Sequence, residues 1–178
     1  MPRIDLVPLN QVEPNLRAAI ERGRASRMLS SSIPVQIWAH RPEVARAWVE
    51  ALDALHNRGL LPARLRELVR LKIASITNCQ ACQIARKSDE VTEEDLACLA
   101  TDDDRFTAPE QAALRFVELF AGDYFAITDA HFSDLRRHFS TAQIVELNLF
   151  AALMLAGGRM TYVQRGYEEP GAIDSTSG

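Results

Sequence analysis

The spacing of apolar residues restricts the fold of this chain more than any other feature of its sequence. Along most of its 178 residues, apolar side chains recur every three or four positions, and no convincing run alternates apolar and polar residues. The first pattern is typical of amphipathic helices, whereas a half-buried strand needs the second. We therefore predict an all-α protein, a helical bundle of about eight helices.

Prolines and capping residues divide the chain. Residues 1–13 are predicted to form an extended N-terminal arm, residues 14–169 a single helical domain, and residues 170–178 a flexible tail. Proline in a first turn and Thr92 as an N-cap support several helix starts. Within the domain we predict helices over 14–29, 35–40, 42–56, 62–78, from 79, over 93–99, from 109, over 128–139 and from 141 onwards.

The last predicted helix is apolar in nearly every direction around its axis. Its sequence, IVELNLFAALMLAGG, carries one charged residue, Glu146. A helix that is apolar on all sides must be buried on most of them. We therefore expect it to be either the central helix of the bundle or a subunit interface.

Charge and hydropathy exclude several classes of partner. A net charge of −4 gives no reason to expect nucleic acid. The N-terminus lacks the apolar stretch of a signal peptide, and the longest uncharged apolar run, 149–158, is half of the roughly 20 residues that span a bilayer. We expect a cytoplasmic protein without a membrane segment. In such a reducing compartment, three cysteines favour reactive thiols or metal binding over a structural disulfide framework.

Two of the cysteines form a Cys-x-x-Cys motif. With Asn78 as N-cap, Cys79 would be the first residue of a helix, and Cys82 would lie on the same face of it, close enough to form a disulfide. The start of a helix stabilises a thiolate, and Arg86, one turn after Cys82, would add positive charge. This arrangement favours attack on a peroxide or a disulfide.

The same two cysteines also allow a metal-binding role or a purely structural one. A zinc site needs about four ligands, and this stretch offers two cysteines and no histidine, so no metal is expected. The pair could be inert and buried, because cysteine packs as a small apolar residue. Cys98 is predicted to be a core residue. The acidic loop 101–107 lacks the ligand pattern of a calcium loop.

Glu67 is a second candidate site residue. On a helical wheel it lies between Leu71 and Ala74, whereas Arg66 and Arg70 lie on the polar face. Apolar neighbours favour a partly buried carboxylate. A surface ion pair with Arg70, three residues later, agrees equally well with the sequence.

These residues together resemble the AhpD/carboxymuconolactone decarboxylase family. The shared pattern is Glu67, eleven residues, and Cys79-Gln-Ala-Cys82, inside RELVRLKIASITNCQACQIA. The resemblance continues through RFTAPEQAALRFVELF and ITDAHFSDLRRHFSTAQIVELNLFAALMLAGGRM, and covers about residues 41–163.

The resemblance implies an AhpD-like, all-α homo-oligomer, from dimer to hexamer, with antioxidant activity. It implies that Cys82 attacks a hydroperoxide, that Cys79 resolves the product into a disulfide, and that Glu67 belongs to the proton relay. A dithiol protein would reduce the pair again. No flavin, nicotinamide or haem motif is present, so no cofactor is expected.

Position 86 departs from the peroxidase pattern, which has histidine four residues after the second cysteine. Arg86 keeps a positive charge but cannot give up a proton near neutral pH. Loss of a general acid-base group costs about 10²–10⁴ in rate. His131 is the histidine that a folded bundle could bring to the thiols, whereas His40, His56 and His138 are expected at helix ends or on the surface.

The sequence therefore leaves several functions open. The first is a thiol peroxidase of peroxiredoxin type, in which Arg86 holds the charge of the Cys82 thiolate. The second is a non-peroxidase member of the same family: a redox-sensing or small-molecule-binding oligomer, or a decarboxylase-like enzyme. The third is a non-catalytic oligomeric scaffold with residues 147–156 as its interface.

Overall fold

The computed structural model describes residues 1–99 and 104–167, and all regular structure in these residues is helical. This confirms the all-α prediction. A 3₁₀ turn, Tyr124–Ala126, precedes α8. The nine helices of the described residues are α1 (Pro14–Ala25), α2 (Ile33–Trp38), α3 (Pro42–Asn57), α4 (Ala63–Ile76), α5 (Gln80–Ile84), α6 (Glu93–Cys98), α7 (Ala108–Gly122), α8 (Asp129–Arg136) and α9 (Thr141–Gln164).

The chain divides into two compact units, Met1–Asn57 with Arg159–Gly178, and Arg58–Gly158. The predicted single domain over 14–169 stays a prediction. The predicted tail and residues 101–103 of the acidic loop lie outside the described residues.

In the first unit, α1 and α2 pack against α3. Residues 1–13 contain no helix and are held by backbone contacts: the N–H of Arg3 donates to the carbonyl of Gln164 over 2.9 Å, and that of Val7 to Gln36 over 3.2 Å. Helix α1 ends at Ala25, earlier than predicted, because Arg27 adopts a left-handed φ of 61°, which a helix cannot accommodate.

In the second unit, α4 is the most buried helix, and it packs against α5 and α7. Its residues 67–74 are all buried, so neighbours surround this stretch on every side. The prediction that α9 is buried on most sides is wrong within the chain, since its buried residues are Ile144, Leu147, Phe150, Ala151 and Gly158. Apolar composition indicates that α9 needs a covering neighbour, but it does not show whether the same chain or another subunit provides it.

Helix α9 is long and apolar enough to cross a membrane by length and composition alone. The core helices of proteins without a membrane segment pass the same test. Of the most apolar 18-residue window of α9, 28% is buried inside the chain. The uncharged apolar run 149–158 is shorter than this helix, because the helix continues past the polar residues Asn148 and Arg159 that border the run.

A charged cluster joins the starts of three helices in the second unit. Asp95 and Glu110 close capping boxes at the starts of α6 and α7. Arg64, in the first turn of α4, contacts Asp95 over 2.7 Å and Glu110 over 2.9 Å. The hydrogen bond from Arg64 is the main reason that the pKa of Asp95 falls from 3.8 to about 2. The ionised form of Asp95 therefore stabilises the folded chain.

We expect Asp95→Asn to lower the free energy of unfolding at neutral pH by roughly 2 kcal/mol, the equivalent of the pKa shift. A carboxyl with a depressed pKa stabilises the fold above its unfolded value of 3.8, and loses this contribution as pH falls through about 2. Urea unfolding at several pH values should show the deficit shrinking over that range. Asp104→Asn, at an exposed turn residue, is the matched control. A deficit that stays constant with pH would contradict this account.

Candidate functional site

The cysteine pair begins where α4 ends. Asn78 has a left-handed φ of 52°, and its N–H donates to the carbonyl of Ser75 while that of Cys79 donates to Ala74. These two bonds form a Schellman motif that terminates α4. The prediction that Asn78 is the N-cap of the next helix is therefore wrong. Cys79 itself precedes α5, and its carbonyl accepts the first helical bond, from Gln83.

Cys79 and Cys82 form a disulfide, with their Cα atoms 5.2 Å apart. This separation lies in the normal range for disulfides. Cys79 is 4% exposed, whereas Cys82 is partly exposed. The structure therefore represents an oxidised form, in which Cys82 is the more accessible of the two residues.

A buried ion pair lies behind this disulfide, on α4. Glu67 is 2% exposed and Arg70 is 5% exposed. Two parallel hydrogen bonds join them: Arg70 Nε donates to Glu67 Oε2 over 2.8 Å, and Nη2 donates to Oε1 over 2.7 Å. Each of the two hypotheses for Glu67 was thus half right, because this residue is buried and also paired with Arg70. The prediction that Arg70 lies on a polar face is wrong.

Arg70 also holds the end of α5. Its Nη1 donates to the carbonyl of Cys82 and its Nη2 to that of Ala85, each over 2.6 Å. The N–H of Lys87 donates to Glu67 Oε1 over 2.9 Å. The last carbonyls of a helix have no partner inside it, and a five-residue helix is not stable alone. The Glu67–Arg70 pair therefore supports the segment that presents the cysteines.

Arg86 does not lie on α5, which ends at Ile84. Its guanidinium donates to the carbonyls of Gln83 and Ile84, and forms an ion pair with Glu93 over 2.9 Å. The prediction that Arg86 lies one helical turn after Cys82 is wrong, because the helix ends first. Arg86 supports the same helix end as Arg70 does.

His131 is engaged at the start of α8. Its Nδ1 accepts the N–H of Thr128 over 3.0 Å, in a capping box that helps to start this helix. Both of its hydrogen bonds are to Thr128, and it makes none to the cysteines. Cys98 is partly buried and packs beside a core cluster that includes Leu68 and Phe106. In residues 1–99 and 104–167, no three acidic, histidine or cysteine residues are grouped as metal ligands.

Helix α9 approaches the turn before the cysteines closely. A Cβ atom on Gly158 would lie 3.1 Å from Thr77 Oγ, which is tighter than most real contacts. Gly158 therefore lets α9 pack directly against the residue that ends α4.

Sequence reasoning missed Arg70 as a site residue. Two signals could have found it: its spacing of three from Glu67, and its position twelve residues before Cys82. A helical wheel separates polar from apolar directions, but cannot show that a polar direction is covered by another helix. The bonds from Arg70 to α5 depend on the turn at Asn78, which the sequence analysis did not predict.

Solved structures share this fold. The debrominase Bmp8, in a complex with 2,3,4-tribromopyrrole, is similar with a TM-score of 0.78 and 16% identity over 95% of this chain and 92% of Bmp8. A peroxidase-related protein from Ralstonia eutropha JMP134, with an alkylhydroperoxidase AhpD core, is similar with a TM-score of 0.75 and 19% identity over 94% and 92% of the two chains. The protein is thus an all-α protein of AhpD-like fold with a disulfide-bonded Cys-x-x-Cys pair.

A known family matches part of the sequence. Residues 42–119, a little under half of the chain, are similar to the carboxymuconolactone decarboxylase family. The match confirms the resemblance to the AhpD/carboxymuconolactone decarboxylase family and includes Glu67 and both cysteines. No curated protein sequence matches the chain significantly.

We expect Arg70→Met to lower the free energy of unfolding by about 3–5 kcal/mol, because it leaves the Glu67 carboxylate buried without a cation. The double variant Glu67→Leu/Arg70→Met removes both charges, and should cost less than the sum of the two single variants. Urea unfolding of the oxidised proteins measures all three values.

Arg46→Met is the matched control for this cycle. Arg46 pairs with Glu50 on the exposed side of α3, where an ion pair contributes about 0.3–0.5 kcal/mol. If Arg70→Met costs no more than Arg46→Met, the buried pair does not support the site.

Proposed function

We propose that this protein is a thiol–disulfide oxidoreductase that reduces hydroperoxides with Cys82 and Cys79. The observation that carries the proposal is the disulfide itself, formed between one partly exposed and one buried cysteine. A pair of this kind can give up two electrons to form a disulfide, and an external thiol can reduce the disulfide again. Two similarities support it: residues 42–119 match the carboxymuconolactone decarboxylase family, and the fold is shared with a peroxidase-related protein and a debrominase.

The proposed cycle starts from the reduced pair. The Cys82 thiolate attacks one oxygen of the hydroperoxide; an S–O bond forms, the O–O bond breaks, and the alkoxide takes a proton from solvent to leave as an alcohol. Cys79 then attacks the Cys82 sulfur, an S–S bond forms, and hydroxide leaves as water. An external dithiol protein reduces the disulfide and becomes oxidised itself. This cycle suits a reducing compartment such as the cytoplasm.

The exposures assign the two thiols. The more exposed Cys82 is the residue that a peroxide, and later a reductant, can reach. Cys79 is buried beside it and can act only on the Cys82 sulfur. We assign Glu67 as a positioning residue, because both of its oxygens already accept N–H bonds from Arg70 or Lys87.

The residue at position 86 affects the peroxidase rate that we expect. In this oxidised form its guanidinium is bound to Glu93 and to carbonyls of α5, so its assignment as the group that stabilises the thiolate remains a proposal. Because arginine cannot serve as a general acid near neutral pH, the alkoxide must take its proton from water. We therefore propose slow peroxidase turnover and do not assign His131 a part in it.

Reduced protein mixed with an equal amount of an organic hydroperoxide should lose two thiols per chain, as counted with a thiol reagent. Cys82→Ser should abolish this loss, because it removes the attacking sulfur. Arg86→His should raise the rate by about 10-fold or more, since a positioned acid-base group contributes 10²–10⁴. Cys98→Ser should leave the loss unchanged and is the control.

The same thiol count with other electrophiles separates the alternative functions. Thiols that stay unchanged with hydroperoxide but are lost with a small disulfide would exclude peroxidase activity and support the redox-sensing alternative. The same assay with 2,3,4-tribromopyrrole, the molecule in the Bmp8 complex, tests a third electrophile. In that reaction two thiols would be lost while one C–Br bond became C–H and bromide was released.

We further propose that α9 packs against a second copy of the chain. Ala142, Val145, Leu149 and Ala152 are exposed at spacings of three, four and three residues, and Val145 and Leu149 are 53% and 55% exposed. This is the spacing of a seam between two helices. It agrees with one of the two alternatives that the sequence leaves open for α9, the subunit interface.

Leu149→Glu should weaken self-association about 100-fold, because an unpaired charge at an interface costs several kcal/mol. Sedimentation velocity over a concentration series measures this. Ser133→Glu, which adds the same charge at an exposed position of α8, should leave the association unchanged. A wild-type chain that sediments as a single copy at all concentrations would contradict the proposal.

A further inference from the structure

The first unit contains a cleft that the thiol chemistry does not use. Its volume is about 630 Å³, and it is lined by the N-terminal arm, α2, the start of α3 and the end of α9. No cysteine lines it. A volume in this range is typical of small-molecule sites.

The wall of the cleft is aromatic. Trp38 and Trp48 meet edge to face, with their ring centroids 5.8 Å apart. The indole N–H of Trp38 donates to the side chain of Gln164 over 3.0 Å, which fixes this ring and satisfies its polar atom. Val44 and Met160 extend the apolar surface. Such a wall suits a flat or chain-like apolar group.

The charges at the cleft favour an anion. Two arginines, Arg3 and Arg41, line it, against one acidic residue, Asp5. Arg3 donates to the carbonyl of Val163 over 2.9 Å. Arg41 is exposed. A guanidinium beside an aromatic wall recognises a carboxylate attached to an apolar body.

The arm that closes one side of the cleft is held in place. His40 Nε2 lies 2.9 Å from the carbonyl of Asp5 and donates a hydrogen bond to it. The side-chain amide of Gln36 donates to the carbonyl of Val7 over 3.1 Å. The cleft is therefore formed before any ligand binds, which lowers the entropic cost of binding.

We propose that this cleft binds a small arylalkyl carboxylate, with the ring against Trp38 and Trp48 and the carboxylate on Arg41. The cleft belongs to the first unit and the cysteine pair to the second. Binding is expected to be the same in Cys82→Ser, so its outcome is independent of the proposed peroxidase activity.

The chain offers a direct probe of this binding. Trp38 and Trp48 are its two tryptophans, so tryptophan fluorescence reports on the cleft alone. Titration with 3-phenylpropionate should change the fluorescence and saturate. The amide of the same acid, which lacks the charge, should bind about tenfold more weakly.

Two arginine variants complete the test. Arg41→Gln should weaken binding of 3-phenylpropionate about tenfold and leave the weaker binding of the amide unchanged. Arg46→Gln, at an exposed arginine of α3 outside the cleft, should leave both unchanged. The proposal is overturned if fluorescence and calorimetry show no saturable binding, if acid and amide bind equally, or if the two variants behave alike.

Discussion

The buried ion pair between Glu67 and Arg70 is the interaction on which the cysteine site depends. Taking both charges out of water is costly, and the cost is offset only where every polar atom of the pair finds a partner. Here Glu67 accepts N–H bonds from Arg70 and Lys87, and the remaining donors of Arg70 reach the carbonyls of Cys82 and Ala85. The arrangement that satisfies the pair is thus also the arrangement that fixes the cysteine helix.

Helix α5 needs this support because of its length. Five residues cannot form a stable helix alone, and the last carbonyls of any helix lack internal partners. Arg70 and Arg86 donate to three of them, those of Cys82, Gln83 and Ile84. At the other end, the Schellman turn at Asn78 directs the chain from α4 into α5. The burial of Cys79 and the exposure of Cys82 follow from these constraints at both ends.

Most of the fold could be predicted from the sequence, because apolar residues at helical spacing are a local signal. The starts of α3, α6 and α8 follow from Pro42, Thr92 and Thr128, which act within a few residues. The end of α1 was predicted too late, since the left-handed backbone at Arg27 has no glycine to mark it. The sequence left two roles open for α9, a central helix or a subunit interface, because composition does not show which neighbours are present.

The site was predictable only in part, for the same physical reason. The cysteines and Glu67 could be identified from the sequence, because their residue types indicate the chemistry and their spacing carries the resemblance. The buried position of Arg70 depends on the packing of other elements around α4, which no local pattern encodes. The end of α5 before Arg86 is equally non-local, because Glu93 and the α5 carbonyls draw the guanidinium to the helix end. Tertiary contacts therefore determine the positions of both Arg70 and Arg86.

The central claim is that this buried pair holds a cysteine helix with one accessible and one protected sulfur. Alkylation of the fully reduced protein, followed by mass spectrometry of each cysteine over time, tests it most directly. The account predicts that Cys82 is modified well before Cys79, and that this difference shrinks in Arg70→Met. Equal rates in the native chain, or faster modification of Cys79, would contradict it.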